Sequence, residues 1–294
     1  MIPRSLQIKI RRIFVSKRRV QVEEIWPILK DAATRPPGFQ GWPDNKTFAL
    51  VLRHDVESLK GMRYCGRLLE LEKSFGLKSS FNFVPERYIV PDELLDHIRN
   101  NGFEIGVHGL KHDGKLYKSK KIFLKRAEQI NHYLNKWRSS GFYSPSAHHN
   151  LQWIHYLNIT YDSSTFDVDP FEPQPDGVHT IFPFVVEDSS GTNTYIELPY
   201  TLPQDFTLFI LMKESNIDIW CEKVDWIVKN RGMILLNTHP DYMNFDNTKN
   251  KIDEYPVKLY TDFLQFVHSR YKDQFWHALP IDVACFLQSR ESKK

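Results

Sequence analysis

Residues 47–57 read TFALVLRHDVE, and residues 103–112 read FEIGVHGLKH. In the first stretch an unbroken apolar run, Phe48 to Leu52, passes directly into polar side chains. That pattern predicts a buried strand whose carboxyl end carries chemistry. Asp55 and Glu57 stand two apart on extended backbone, so their carboxylates project to one side. Like charges so placed repel, and a cation relieves the repulsion. In the second stretch the strand FEIGV runs into His108, and His112 comes four residues later. On a helical turn that spacing brings both imidazoles to one side. Two imidazoles and a carboxylate make a three-ligand site for a divalent metal with one position open, leaving the other carboxylate as a base beside bound water. Each feature also has a plain structural reading. Glu57 and Ser58 suit a helix start, and we assign His97, His132, His155, His179, His268 and His277 to the ordinary surface or core class. Position at strand ends is what lifts the acids and the HxxxH pair above that reading.

Outward from these stretches, strands alternate with helices from about residue 48 to residue 240. Helices are expected at 21–34 (interrupted by Pro27), 58–75, 91–102, 116–138, 150–157, 218–232 and 256–271, and strands also at 79–85 and 233–240. Alternation of this kind implies parallel strands joined by helical crossovers. His54 and Asp55, Asn82, His108, Asp162 and His239 all come after the last apolar residue of a strand. No glycine-rich phosphate loop succeeds the first strand. The pattern therefore predicts an α/β barrel, with its active residues at the carboxyl ends of the strands, rather than an open sheet. We expect residues 1–44 to form a basic, helical N-terminal extension and 45–294 to form the barrel domain. His239 lies in NTHP; the proline after it constrains the backbone there, and a histidine so placed suits a general acid.

Bulk properties narrow the class. The chain has 294 residues, 41% hydrophobic and 14% aromatic, with a formal charge of +3. Near-balanced charge argues against nucleic acid as a partner. Cys65, Cys221 and Cys285 are odd in number and form no CxxC, so we expect no disulfide framework, no thiolate zinc site and a reducing compartment. With neither a membrane-length apolar run nor a signal-peptide core, the expected location is the cytoplasm. The first twenty residues stand apart: Arg4, Lys9, Arg11, Arg12, Lys17, Arg18 and Arg19 occur with no acid, interleaved with Ile8, Ile10, Ile13, Phe14 and Val15. Two readings fit, a solvated terminus and an amphipathic segment in peripheral contact with an anionic membrane.

The order RHDVE, HGLKH, GFxxP, YDSS and NTHP, over roughly residues 45–245, resembles the polysaccharide deacetylase family (NodB-homology, carbohydrate esterase 4). The resemblance implies a distorted (β/α)7 barrel and metal-dependent removal of N-acetyl or related acyl groups, usually from sugars. RHDVE is similar to a subgroup with an acid-Val-acid motif, which implies Asp55 as base and Glu57 as metal ligand with His108 and His112; an exchange of the two acids' roles stays open. A divalent metal, zinc by expectation, is implied as cofactor, with a small molecule or glycan as substrate. His239 is implied as the acid and Asp162, in YDSS, as the residue that positions it. Pro145 and His148, in GFYSPSAHH, are implied beside the substrate. The family's third motif begins GFR, its Arg orienting the base; here Tyr143 stands at that position. A phenol can hydrogen-bond a carboxylate but carries no fixed positive charge, and His148 is the candidate to share the work. The implied setting is biosynthesis of surface polysaccharide. Two other classes remain open: an inactive relative that only binds glycans, and a hydrolase of a non-sugar amide on the same fold.

Overall fold

The computed structural model describes residues 3–291. Helix α1 (Arg4–Gln21) comes first, succeeded by turns and short 3₁₀ segments up to the first strand. The alternating body then consists of β1 (Phe48–Val56), α2 (Leu59–Ser74), β2 (Ser80–Phe83), α3 (Asp92–Asn100), β3 (Glu104–His108), α4 (Lys120–Lys136), β4 (Gly141–Tyr143), α5 (Leu151–Ile154) and β5 (Tyr161–Asp162). The hairpin strands β6 (Phe184–Glu187) and β7 (Thr194–Glu197), a π-helical segment Phe206–Met212, α6 (Asp218–Asn230) and β8 (Met233–Thr238) come next. The chain closes with the short pair β9 (Met243–Asn244) and β10 (Tyr255–Pro256), then α7 (Lys258–Tyr271), β11 (Phe275–His277) and α8 (Pro280–Glu291).

Strand β1 is buried along its whole length, as its apolar run requires of a strand covered on both faces. It pairs in parallel with β8 on one side and with β2 on the other, and β11 lies beside its first residues. Parallel pairing continues through β3, β4, β5 and β7, and β6 adds antiparallel to β7. The ring β8-β1-β2-β3-β4-β5-β7 is thus a seven-stranded parallel wall among the described residues. It is distorted because β4 and β5 are only three and two residues long. Between β7 and β8 there is no ladder; Thr201 and Leu202 donate their amides to Leu235 O at 3.0 and 3.3 Å. This is the α/β barrel expected from the alternation.

Local signals explain most element ends. Ser58 caps α2 by accepting from Lys60 N, and Ser119 caps α4 by accepting from Ile122 N. Two expectations need correction. The helix expected over 21–34 lies earlier, at Arg4–Gln21, and 22–34 forms turns with one 3₁₀ turn at Lys30–Ala33: Pro27 has no amide to give a helix, whereas 4–21 contains no glycine or proline. The helix over 218–232 ends not on Gly232 but on Arg231, at φ 60°. Gly232 serves close packing instead, since a Cβ there would meet Ile181 Cδ1 at 2.4 Å.

Candidate active site

Alternation along β1 sorts the RHD motif. Arg53 and Asp55 line the cleft at the strand ends. His54 turns the other way, with Nδ1 2.7 Å from Thr238 Oγ1 and Nε2 2.7 Å from Glu72 Oε1, against α2. His54 is therefore a structural link between the barrel wall and its helices. Just past β1, Glu57 is held by the segment after β8: its amide donates to Asp241 Oδ2 at 2.8 Å, and its Oε2 accepts from Tyr242 OH at 2.6 Å. Asp241 also accepts from Ser58 Oγ and from Gly61 N. Gly61 is required by that approach, because a Cβ would stand 2.2 Å from Asp241 Oδ2.

His108 ends β3, and its Nδ1 lies 3.2 Å from the Tyr143 carbonyl oxygen. A carbonyl can only accept, so Nδ1 carries the proton and Nε2 keeps its lone pair. Burial lowers His108 to a pKa of about 4, so the ring is neutral near pH 7. His112 does not lie on a helical turn, contrary to expectation. It sits in a loop at φ 51°, after Gly109 at φ 62°, yet its ring centroid is 5.2 Å from that of His108. One donor atom each from Glu57, His108 and His112 fall within 4.8 Å of one another. His112 Nε2 lies 3.0 Å from Glu57 Oε1, but both imidazole Nε2 atoms are buried without a hydrogen bond. Two buried imidazole nitrogens without a hydrogen bond, converging with a carboxylate oxygen, fit a divalent cation. The set of two imidazoles and one carboxylate suits a borderline metal.

Asp55 stands beside this cluster. Its Oδ1 accepts from Asn82 Nδ2 and its Oδ2 from Asn237 Nδ2, each at 2.9 Å, and Arg53 Nη2 is 3.8 Å from Oδ2. Burial would raise its pKa, but the charges of His108, Arg53 and His239 with the Asn82 amide bring it down to about 2. Near neutral pH Arg53 is among those that remain charged, while the His108 ring is neutral. His239 faces the same cleft. Its Nδ1 lies 2.7 Å from Asp205 Oδ1 and its amide donates to Asp205 Oδ2 at 2.8 Å. Burial lowers the imidazole, but the charge and hydrogen bond of Asp205, with Glu57 and Asp55 behind, raise it to about 10. The cleft thus holds an ionised carboxylate and a protonated imidazole together with three converging donors, in a hollow of about 420 Å³.

Asp55, Glu57, His108, His112 and His239 come together; the other assigned residues do not join them. Asp162 is buried in β5, accepting from Ser164 Oγ at 2.6 Å, and burial and Glu197 push its pKa well up. The residue that positions His239 is Asp205, because the chain after β7 brings its carboxylate within reach of both Nδ1 and the amide of the histidine. The Tyr143 hydroxyl does not serve Asp55; it lies 3.1 Å from Ser80 Oγ and 2.7 Å from Tyr161 OH. The Tyr143 ring instead lies under the Arg53 guanidinium, centroid to Cζ 5.0 Å. Arg53 is the positive charge beside Asp55, one step of alternation away on the same strand. Pro145 and His148 border a neighbouring hollow behind the HGLKH loop, not the cleft itself. Pro145 packs on Gly109, where a Cβ would come within 2.5 Å of Pro145 Cγ.

Sequence reasoning missed Arg53, Asp205, Asn237, Asp241 and Tyr242. Asn82 and Asn237 sit at strand ends, the signal that found Asp55. Asp205 has no such mark.

No protein-family model matches the chain, and no curated protein matches it in sequence. Solved structures do match. A protein of Mycobacterium smegmatis assigned as a polysaccharide deacetylase superposes with a TM-score of 0.64 at 17% identity, over 85% of this chain and 93% of its own. The chain has the polysaccharide-deacetylase fold. A second such protein, from Pseudomonas aeruginosa PAO1, gives 0.62 at 16% identity over 84% and 93% of the two chains. An allantoinase gives 0.62 at 16% identity over 87% and 95%. At these identities the likeness is one of fold, the NodB-type distorted barrel. Among the described residues no helix is long and apolar enough to cross a membrane, and Cys65, Cys221 and Cys285 are unpaired.

Proposed function

We propose that this protein is a metal-dependent hydrolase that removes an N-acetyl or related acyl group from an amino sugar destined for surface polysaccharide. The observation that carries the reading is the pair of unpartnered, buried Nε2 atoms of His108 and His112 converging with Glu57 beside Asp55 and His239. Bound there, a divalent cation, zinc by our reading of the donors, lowers the pKa of water toward neutrality and polarises the acyl carbonyl. Asp55, ionised and held by two amides, accepts a proton from the attacking water. His239, protonated and oriented by Asp205, donates its proton to the departing amine nitrogen. The cleft volume suits a small molecule or the end of a glycan. Three unpaired cysteines suit a reducing compartment, so we place the reaction in the cytoplasm, on a precursor rather than finished polymer.

Metal analysis of the purified protein, paired with acetate release from N-acetylated hexosamine substrates, tests this. Wild type should hold a divalent ion near stoichiometrically. His108→Ala, His112→Ala and Glu57→Gln should lose most of it while keeping the circular dichroism of the fold. Asp55→Asn should keep the ion and lose on the order of 10²–10⁴ in turnover. Full metal occupancy in His112→Ala would remove the ligand assignment. Turnover of a cyclic ureide such as allantoin, without acetate release from any sugar, would transfer the site to a non-sugar amide.

A further inference from the structure

Helix α1 is mounted inside out. Three of its arginines are held by the protein: Arg12 donates to Ile210 O at 2.8 Å and Ile252 O at 3.0 Å, Arg4 donates to Tyr242 OH at 3.0 Å, and Arg19 pairs with Glu214 at 2.5 Å. Ile8 and Val15 are buried between them. The opposite face, which in a globular protein is polar, carries Leu6, Ile10, Ile13, Phe14 and Val20, exposed by 48% at Leu6 to 71% at Val20. At 3.6 residues per turn these five fall within an arc of about 120°. Lys17 lies inside that arc, and Lys9 and Arg18 lie outside it on opposite sides. None of the three cations has an acidic partner among the described residues, and the chain has no acid before Glu23. The helix also borders the cleft: Arg4 and Arg11 line it. Exposed Leu59 and Ile89 are close in sequence to the lining residues Ser58, Lys60 and Arg87.

A second copy of this chain is a poor occupant for such a face, because self-association would oppose one cluster of cations with another. An anionic lipid surface is the complementary one. Its acyl boundary takes the apolar arc, its headgroups take Lys9, Lys17 and Arg18, and long lysine stems reach outward from an apolar bed. Arg4, Arg12 and Arg19 are already held by the barrel, so docking leaves their bonds in place. We infer that the outward face of α1 docks on an anionic bilayer, with Leu6, Ile10, Ile13, Phe14 and Val20 entering the interface and the cleft mouth held beside the membrane. This stands on the helix and is independent of what the metal site hydrolyses.

Co-sedimentation of the full chain with phosphatidylcholine vesicles, with and without phosphatidylglycerol, tests it. Binding is expected only with phosphatidylglycerol and is expected to weaken as salt rises. The double variant Ile13→Glu/Phe14→Glu, exposed at both positions and so expected to fold, should bind on the order of tenfold or more weakly. Lys9→Glu/Lys17→Glu, which leaves the apolar arc intact, should also bind more weakly. A wild-type chain that stays in the supernatant with anionic vesicles overturns the inference, as does undiminished binding by both variants. So does a wild-type dimer in sedimentation velocity that Ile13→Glu/Phe14→Glu converts to monomer, because a second copy would then cover the face.

Discussion

Arg53 carries the charge that the GFY motif lacks. Position 143 looks unable to support a base when read along the chain, yet the ring there seats a guanidinium that comes from the RHD motif itself. The consequence is measurable in the pH dependence of kcat/KM. In the proposed mechanism Asp55 acts when deprotonated, and Arg53 favours its charged form, so Arg53→Gln should move the acidic limb up by about one to three pH units with metal content unchanged. Tyr143→Phe should leave that limb in place, because the hydroxyl serves Ser80 and Tyr161 rather than Asp55. It should cost about 1–2 kcal/mol of stability in urea unfolding, for hydrogen bonds left unmade in a buried layer. A limb that moves with Tyr143→Phe but not with Arg53→Gln would return the orienting role to the phenol.

Helix α6 shows how an element outside the site holds the segment that shapes it. Lys223, fully buried on α6, reaches Asp167 at 2.8 Å, just beyond β5. Burial raises Asp167 to about 6 even against the pull of Lys223. Lys223→Met removes the partner and leaves a buried carboxylate, a change that costs about 3–5 kcal/mol. The loss should depend on pH with a definite sign. A carboxyl whose folded pKa is raised above its unfolded value stabilises the fold at low pH, and that contribution fades as pH rises through the folded pKa. Thermal unfolding of the variant should therefore deviate least from wild type near pH 5 and most near pH 8. Asp167→Leu in the same chain should recover much of the loss. Equal deficits at both pH values would mean that packing, not charge, accounts for the effect.

Over the whole molecule the weak place is the seam between β7 and β8. Six neighbouring pairs in the parallel ring share ladders, whereas the seventh gap is spanned near Leu235 by Thr201 and Leu202. The Thr201 hydroxyl donates to Met233 O at 2.8 Å and accepts from Leu235 N at 3.0 Å. Thr201→Val keeps the shape and removes both bonds, leaving two backbone groups of β8 short of partners. We expect a loss of about 1–3 kcal/mol and faster hydrogen exchange at the Leu235 amide, with exchange in β2 and β3 unchanged. Slow exchange at Leu235 in the variant would show that the ring does not depend on this hydroxyl. Because Asn237 and His239 stand at the end of the same strand, the seam also sets how firmly they are held.

The apolar run before RHD, the strand before HGLKH and the alternation around them determined an α/β barrel with acids and histidines at one rim. Those are local properties: burial on both faces is written as an unbroken apolar run, and the strand end as the first polar residue after it. Asp55, Glu57, His108, His112 and His239 could be found because each sits at or just past such an end. The partners of these residues could not be found in the same way. Arg53 reads as the edge of a motif until alternation points it inward under Asp55, and Asp205, Asn237 and Asp241 reach their places only when the ring brings the chain after β7 and β8 back to β1. The same holds for α1, whose spacing shows two faces but not which of them the barrel takes. Docking decided that, because the barrel binds Arg4, Arg12 and Arg19 and leaves the apolar arc to the outside.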